Sequence, residues 1–307
     1  MSGGRACTAP QGAAAEGTVR IGTRASQLAL AQARTVAAAI RAHAPALQVQ
    51  LVPMTTSGDV LLDAPLDAVG GKGLFVAELD EALLSGRVDL VVHSAKDLPA
   101  QLAPGTALVA AGAREDPRDV LVLPAGRDGW DQSLPVGCSS ARRRVQLARL
   151  APGVQVRPVR GNVPTRLEKL DAGRYGALVL AAAGLARLGL QGRASRVFEV
   201  GEMCPAAGQG TLAVTARAGE ELPFLAGFAD AGTLRCLLAE RAFVAALGAD
   251  CTSPCAAYAR PAQEGVLQLQ GLYASADGAL QRRGQALLAA GHEQEQAAAL
   301  AHELAGA

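Results

Sequence analysis

The chain has 307 residues, of which 50% are hydrophobic and 3% aromatic, and its formal net charge is +1. This length predicts two or three domains, each with a core built mostly from alanine, valine and leucine. A near-neutral charge argues against a globally basic nucleic-acid-binding protein. No apolar run approaches the roughly 18 residues that a membrane-spanning helix needs. We therefore expect neither a nucleic acid nor a membrane as a partner.

Residues 1–17 form a segment rich in glycine and alanine, without the apolar core of a secretion signal. We expect this segment to be a disordered tail and the protein to be cytoplasmic. The six cysteines are irregularly spaced, which fits the reduced thiols of that compartment. Cys251 and Cys255 are separated by three residues with no histidine nearby. Because that is a poor zinc signature, no metal site is predicted.

Strand-like and helix-like patterns alternate over the first two thirds of the chain, which predicts an α/β fold with parallel sheets. The predicted strands span residues 18–22, 48–54 and 88–93 in a first unit, and 120–123, a strand at 136, 154–159 and 177–181 in a second. The predicted helices of these units span residues 26–43, 74–84, 142–150 and 165–170. The last third predicts a small α+β domain, with a helix at 234–247, a strand at 266–274 and a helix at 293–305.

Two polar clusters follow predicted strands of the first unit, at the position where ligands bind in parallel α/β sheets. Arg24 and Ser26 precede a helix, and the free amides at such a helix start favour an anion. The alternative is an ordinary N-cap beside a solvated arginine. Lys96 and Asp97 follow the third strand, where a carboxylate is a candidate active-site group. The alternative there is a charge pair in a surface loop, and the neighbouring His93 is interpreted as structural.

A basic stretch runs from Gly137 to Arg187, with ten lysines and arginines, two acidic residues and a single aromatic residue. Without aromatic side chains to stack on bases, this stretch fits a small polyanion better than a nucleic acid. Arg142 and Arg143 stand in the first turn of a predicted helix, where cations oppose the helix dipole by about 0.3–1 kcal/mol each. We infer that they hold an anion, together with the two serines before them. The alternative is a solvated basic face.

A cysteine-containing loop follows the predicted helix at 234–247. Cys251 stands there among glycine, serine and proline, where a thiol can be exposed enough to react. Cys255 lies four residues further on, and chemistry alone does not separate the two thiols. A buried structural cysteine is the alternative for either of them.

Six segments resemble, in order, the signature motifs of one protein family. They are residues 22–30 (GTRASQLAL), 70–75 (GGKGLF), 93–99 (HSAKDLP), 160–162 (RGN), 182–189 (AAGLARLG) and 208–210 (GQG). On these motifs the chain resembles the porphobilinogen deaminase family over roughly residues 18–260. The resemblance is weaker beyond that range.

The resemblance implies an α/β architecture with two periplasmic-binding-protein-like domains, a cleft between them and a small C-terminal α+β domain. It places the first domain at residues 18–113 with a return segment at about 211–230, the second at 114–210 and the third at 231–307. The third domain is expected to carry the cofactor cysteine. The protein is expected to be a monomer.

The resemblance also implies a covalent dipyrromethane cofactor, joined by a thioether to Cys251. The family's cysteine stands three residues before a proline, as Cys251 does before Pro254. Ala249 and Asp250 stand where the family has two glycines. The implied activity is that of a transferase. It joins four molecules of its substrate, porphobilinogen, head to tail with loss of ammonia on this primer, and then hydrolyses off hydroxymethylbilane.

The family's functional residues carry over position by position. Asp97 is expected to be the catalytic carboxylate, placed near the pyrrole nitrogens of a cationic intermediate. The expected cofactor- and substrate-binding residues are Arg24, Ser26, Lys72, Phe75, Ser94, Lys96, Ser139, Ser140, Arg142, Arg143, Arg160, Gly161, Asn162, Arg166, Arg187 and Gln209. Lys72 and Phe75 are expected to flank a mobile loop over the cleft. Thr211 stands where the family usually has alanine, and Cys138 where it usually has threonine.

Two other classes of protein compete with this hypothesis. A non-catalytic anion-binding protein of the periplasmic-binding class, such as a solute receptor or the sensor of a regulator, would explain the α/β units and the arginines. It would not explain Cys251 in its loop. A nucleic-acid-binding protein that uses the basic run 142–144 would lack aromatic residues for stacking.

Overall fold

The computed structural model describes residues 17–56, 76–249 and 253–306. The strands in these ranges are β1 (Gly17–Arg24), β2 (Leu47–Met54), β3 (Leu90–Ser94), β4 (Thr106–Ala111), β5 (Asp119–Val122), β6 (Val136–Gly137), β7 (Val156–Arg157), β8 (Ala177–Ala181), β9 (Arg196–Val197), β10 (Leu212–Arg217), β11 (Ala256–Gln263), β12 (Val266–Ala274) and β13 (Gln281–Leu288). The α-helices are α1 (Gln27–His43), α2 (Ala77–Leu84), α3 (Ala141–Leu150), α4 (Val163–Asp171), α5 (Ala182–Ala186), α6 (Ala231–Ala246) and α7 (Glu293–Ala305). Gly17, which the sequence analysis placed in the tail, is the first residue of β1.

The first sheet has the strand order β2-β1-β3-β10-β4. Strands β1, β2 and β3 are parallel, whereas β10 is antiparallel to both β3 and β4. Helix α1 covers this sheet because its apolar residues recur every three to four positions. Val36 and Ile40 of that face are fully buried in one core cluster with Ile21 of β1. Burial of each such side chain is worth roughly 1.5–3 kcal/mol.

The second sheet repeats this pattern with the order β7-β6-β8-β5-β9. Strands β6, β7 and β8 are parallel, and β5 is antiparallel to its neighbours β8 and β9. The predicted α/β class is therefore confirmed, but the prediction of wholly parallel sheets is wrong. Each sheet receives one antiparallel strand because the chain crosses from one sheet to the other and back.

Two segments of the chain cross between the sheets. They lie at the edge where the parallel strands end, which we call the functional edge. Residues 112–118 lead from β4 to β5, and residues 198–211 lead from β9 to β10. Asp119, the first residue of β5, pairs with the last residue of β8. Leu212, the first residue of β10, pairs with the last residue of β3. The antiparallel strands thus begin where the parallel strands end, and both crossings pass along that edge.

The crossing segments also contact each other. The backbone N–H of Glu115 donates to the carbonyl oxygen of Gly210 at 3.1 Å. Gly210 has a φ of +88°, and a Cβ there would lie 2.4 Å from the carbonyl oxygen of Glu115. Only glycine therefore fits this close approach.

The C-terminal part is a three-stranded antiparallel sheet, ordered β11-β12-β13, with α6 and α7 against one face. Phe243 of α6, Leu269 of β12 and Leu300 of α7 share its core. At the opposite side, Leu272 packs with Val145 of α3, so this sheet rests on the second unit. The α+β prediction is confirmed, and β12 and α7 have the predicted bounds. The division at residues 113/114, 210/211 and 230/231 stays a prediction.

Glu240 of α6 is fully buried and connects three parts of the fold. Its carboxylate accepts a hydrogen bond from Arg114 in the first crossing segment at 2.7 Å. It also accepts from the backbone N–H of Gly208 in the second crossing at 2.6 Å and from that of Ala259 in β11 at 2.7 Å. The third sheet is thereby fastened to both crossings.

No helix in the described ranges is long and apolar enough to span a membrane.

We predict that Glu240→Ala lowers the free energy of unfolding by about 3–5 kcal/mol, because it leaves the buried Arg114 guanidinium without its partner. Urea denaturation at neutral pH measures the change. Glu264→Ala, which removes an exposed carboxylate in the turn between β11 and β12, is the control and should leave the midpoint unchanged. A loss below about 1 kcal/mol for Glu240→Ala would contradict the role of this carboxylate in joining the three parts.

Candidate active site

The first of two neighbouring cavities lies at the carboxyl ends of β1 and β3. It brings together four of the predicted site residues, which are Arg24, Ser26, Ser94 and Asp97. Ser26 caps α1, since its Oγ accepts the N–H of Ala29 at 3.2 Å. The sequence analysis correctly placed this cap at the start of the helix.

Gln32 of α1 lines both cavities and was missed by the sequence analysis. Its side chain is buried, and Nε2 donates to Oγ of Ser94 at 2.6 Å. A glutamine on an apolar helix face gives no recognisable motif, so only its position opposite β3 reveals it.

The second cavity lies between the first sheet and the second unit. Ser94 and Lys96 line it from the end of β3, and Arg187 lines it from the end of α5. Gln209 and Thr211 of the second crossing segment complete the wall. Ser94 belongs to both cavities, so the two spaces form one cleft along the functional edge.

Lys96 and Asp97 stand next to each other on a short 3-10 helix, Ala95–Asp97, which directly follows β3. Lys96 is half-buried and Asp97 is exposed. Burial lowers the pKa of Lys96 to about 8, and the nearby carboxylate of Asp97 opposes that shift. The lysine therefore carries its charge through most of the physiological range but loses it at alkaline pH.

Asp97 faces cations of the second unit across the cleft. Burial lowers the pKa values of Arg166 and Arg187, and the charge of Asp97 opposes both shifts. Asp97 also contributes to the raised pKa of Arg143, although burial opposes that rise and Asp119 is the larger favourable influence. A single carboxylate thus lies within electrostatic reach of three arginines.

A buried ionic cluster lies behind the cleft, centred on Asp119. The Asp119 carboxylate is fully buried and contacts Arg142 Nη1 at 2.7 Å and Arg143 Nη2 at 2.7 Å. Gln209 Nε2 donates to the same carboxylate at 3.0 Å. Burial raises the pKa of Asp119, but the two guanidiniums and Gln209 outweigh it and hold the pKa well below its usual range.

Arg142 and Arg143 are only 4% and 7% exposed, and both guanidiniums have hydrogen-bond acceptors within the protein. Arg142 Nη1 also donates to the carbonyl of Cys204 at 2.6 Å, and Arg143 Nη1 donates to the carbonyl of Val179 at 2.9 Å. Neither arginine forms the solvated basic face considered above. With one carboxylate for two cations, the cluster keeps one positive charge beneath the cleft.

Two serines precede α3 and have different surroundings. Ser139 Oγ donates to the carbonyl of Val159 at 2.7 Å and accepts its N–H at 3.0 Å. Ser140 is the N-cap of α3, yet its side chain makes no capping hydrogen bond. The first amides of α3 therefore lack a side-chain cap beside the ionic cluster.

The remaining predicted residues of the second unit surround the start of α4. Asn162 caps this helix, with Oδ1 accepting the N–H of Thr165 at 2.9 Å. Gly161 has a φ of +109°, and its carbonyl accepts Arg166 Nε at 2.7 Å. The carbonyl of Arg160 accepts Lys169 Nζ at 3.0 Å. These contacts fix the loop that carries Arg160 against α4, which carries Arg166.

Arg187 is held by both crossing segments. Its Nε donates to Glu115 at 3.1 Å, and its Nη2 donates to the carbonyl of Gly210 at 2.7 Å. Sequence reasoning missed Glu115 and Asp119 because both precede or begin a strand, whereas it searched the residues that follow strands.

His93 fits the structural interpretation. Its Nε2 lies 3.0 Å from Oγ1 of Thr215, and burial together with Arg241 lowers the pKa of His93 to about 3. The imidazole is therefore neutral at neutral pH. Arg241 itself donates to the carbonyls of Pro99 and Ala100, just beyond Asp97.

Three predicted site residues, Lys72, Phe75 and Cys251, lie outside the described residues. Cys255 lies within them and is half-buried. Across the described ranges, no group of three or more histidine, cysteine or acidic side chains could hold a metal ion.

A cleft between two sheets of one topology, lined by hydroxyls, cations and a carboxylate, defines an α/β protein suited to an anionic small molecule. The family model "Porphobilinogen deaminase, dipyromethane cofactor binding domain" matches residues 19–222, and "Porphobilinogen deaminase, C-terminal domain" matches residues 234–307. The chain belongs to the porphobilinogen deaminase family.

Similar proteins include porphobilinogen deaminase of Acetivibrio thermocellus, which is 49% identical over 260 residues, 85% of this chain and 89% of that protein. Porphobilinogen deaminase of Acidithiobacillus ferrooxidans is 49% identical over 265 residues, 85% of this chain and 86% of that protein. Among solved structures, the BenM effector-binding domain with benzoate aligns over 69% of this chain and 88% of its own, with 15% identity and a TM-score of 0.38.

We predict that Asp119→Asn lowers the free energy of unfolding by about 3–5 kcal/mol at pH 7, because two buried guanidiniums lose their counter-charge. The folded-state pKa of Asp119 is depressed, so its contribution is fully present above the unfolded value of about 3.9 and is lost as pH falls through the folded value. The deficit of the variant should stay constant from about pH 8 to pH 5 and narrow below about pH 4.

Denaturant titrations of wild type and variant across this pH range measure the deficit. Asp128→Asn, which removes an exposed loop charge, is the matched control and should show no deficit at any pH. A deficit for Asp119→Asn that grows on acidification would contradict the assignment.

Proposed function

We propose that the protein is a hydroxymethylbilane synthase, a transferase that joins four porphobilinogen molecules head to tail with loss of ammonia and hydrolyses off the linear product. The observation that carries this proposal is the exposed carboxylate of Asp97, which lines the first cavity and lies within electrostatic reach of Arg166 and Arg187 of the second unit. Membership of the porphobilinogen deaminase family supports it.

The residues of the cleft fit a dipyrromethane, whose rings carry acetate and propionate groups. Lys96 lines the second cavity, and Arg24 with Ser26 lines the first, so both spaces offer partners for carboxylates. The uncapped amides at the start of α3 offer a further anion site. When bound, the dipyrromethane supplies a free pyrrole α-carbon as the primer. We assign its attachment to Cys251 on the family resemblance.

Asp97 is the group that we expect to act on the reacting atoms. Porphobilinogen becomes cationic when it loses ammonia, and a fixed carboxylate beside the pyrrole nitrogens can accept their N–H bonds and offset that charge. Asp97 is exposed to the cleft rather than neutralised in the buried cluster, so it is available for this role. Arg241 donates to the carbonyls of Pro99 and Ala100, which follow Asp97 on the turn after β3.

The cations divide into two groups by their surroundings. Arg142 and Arg143 are enclosed with Asp119, and we propose that they supply a fixed positive potential beneath the primer. Arg24, Lys96 and Arg166 are only half-buried, and we propose that they contact substrate carboxylates directly. Each added ring brings two more carboxylates, so both kinds of cation are needed.

We predict that Cys251→Ala abolishes both the covalent adduct and bilane synthesis, since only the thioether would anchor the primer. Intact-protein mass spectrometry should show wild type heavier than its sequence by one dipyrromethane and Cys251→Ala at its sequence mass. Cys255→Ala is the matched control and should keep the adduct and the activity. The reverse pattern would overturn the assignment, and an unmodified, inactive wild type would favour a non-catalytic anion-binding protein.

We predict that Asp97→Asn keeps the adduct but lowers turnover by about 10²–10³, the usual loss when one preorganised electrostatic group is removed. Steady-state rates of porphobilinogen consumption measure the effect. The surface variant Asp128→Asn should retain full turnover. Activity of Asp97→Asn within a few-fold of wild type would exclude this carboxylate from the chemistry.

A further inference from the structure

Thr211 is a buried residue whose backbone is hydrogen-bonded to the short helix that carries Lys96 and Asp97. It is 1% exposed and stands directly before β10. Its N–H donates to the carbonyl of Gly208 at 3.1 Å, and its carbonyl accepts the N–H of Ala95 at 3.0 Å. Because Ala95 begins the short helix that carries Lys96 and Asp97, Thr211 is fixed relative to both.

The hydroxyl of Thr211 has no hydrogen-bond partner among the residues that the structure describes. A buried donor left unpaired costs about 1–3 kcal/mol, and most buried polar side chains avoid that cost. Thr215, four residues further along the chain in β10 and equally buried, has a partner, since its Oγ1 lies 3.0 Å from His93 Nε2. The hydroxyl of Thr211 is therefore available to bind a ligand, whereas that of Thr215 is not.

Thr211 lines the second cavity together with Ser94, Lys96 and Arg187. Lys96 makes no hydrogen bond or ion pair within the described part of the chain, and Arg187 is already oriented by Glu115 and Gly210. Lysine and arginine offer only donors, so the group that fits between them carries acceptor oxygens. A hydroxyl pointing into the same space would add one more donor.

We propose that Thr211 is a substrate-binding residue, whose Oγ1–H donates a hydrogen bond to a carboxylate oxygen of the porphobilinogen molecule seated between Lys96 and Arg187. This inference rests on the proposed function. It adds a contact that is absent from the carried-over set of binding residues. A hydroxyl–carboxylate bond made equally in the bound and reacting states affects KM and leaves kcat nearly unchanged.

Three variants test the contact. Thr211→Val keeps the shape and removes the hydroxyl, and it should raise the KM for porphobilinogen about tenfold with kcat within about threefold of wild type. Thr211→Ser restores the hydroxyl and should return KM to within about threefold of wild type. Thr211→Val should also melt no lower than wild type in the absence of substrate, because the hydroxyl that it removes is unpaired.

Thr215→Val is the matched control, because it removes a paired hydroxyl outside the cleft. It should lower Tm and leave KM unchanged. An unchanged KM for Thr211→Val overturns the proposal, and a lowered Tm with unchanged KM assigns the hydroxyl a structural role instead.

Calorimetric binding of porphobilinogen to the same variants separates this inference from the proposed function. If wild type binds porphobilinogen without turning it over, the proposed function fails, and a tenfold weaker binding by Thr211→Val still supports the contact. If wild type turns porphobilinogen over and Thr211→Val binds it equally well, the contact fails alone. If wild type does not bind porphobilinogen, both fail.

Discussion

The burial of Asp119 between two arginines is the constraint on which the rest of the site depends. The carboxylate begins the strand that the first crossing inserts into the second sheet, and its partners begin α3. Gln209 brings the second crossing to the same carboxylate. A buried ion pair contributes little net stability when desolvation is counted, but it tolerates few alternative arrangements. Its principal effect here is to fix α3, β5 and the second crossing in one geometry.

A second buried carboxylate connects the third sheet to the rest of the fold. Glu240 fastens the third sheet to both crossings, and Gln146 of α3 accepts Arg283 of β13 at 2.7 Å. The third sheet thus contacts both the crossings and the helix that carries Arg142. Asp97 is left outside this network, exposed and facing the cleft. The carboxylates of Asp119 and Glu240 thus have partners inside the protein, whereas that of Asp97 stays available at the surface of the site.

Much of the site could be predicted because periodic patterns locate strand ends and ligands bind beyond them. The positions of Ser26, Lys96 and Asp97 followed from that rule, whereas the choice of Cys251 over Cys255 needed the family resemblance. Strands β4, β9, β10, β11 and β13 were not predicted from the local pattern, and β10 was expected only by analogy. Asp119 was missed because its role depends on partners 23 and 24 positions away in sequence, which no local pattern reports.

The insertion of β10 into the first sheet has a consequence for synthesis on the ribosome. Residues 119–197 contain every strand of the second sheet, whereas the first sheet lacks β10 until residue 217 has been made. Domains usually fold in the order in which they emerge, N-terminal first. Here the N-terminal sheet stays an incomplete three-stranded sheet until β10 has been made. The middle of the chain can meanwhile fold around its own core. The part of the protein that is translated first is therefore completed after the part that follows it.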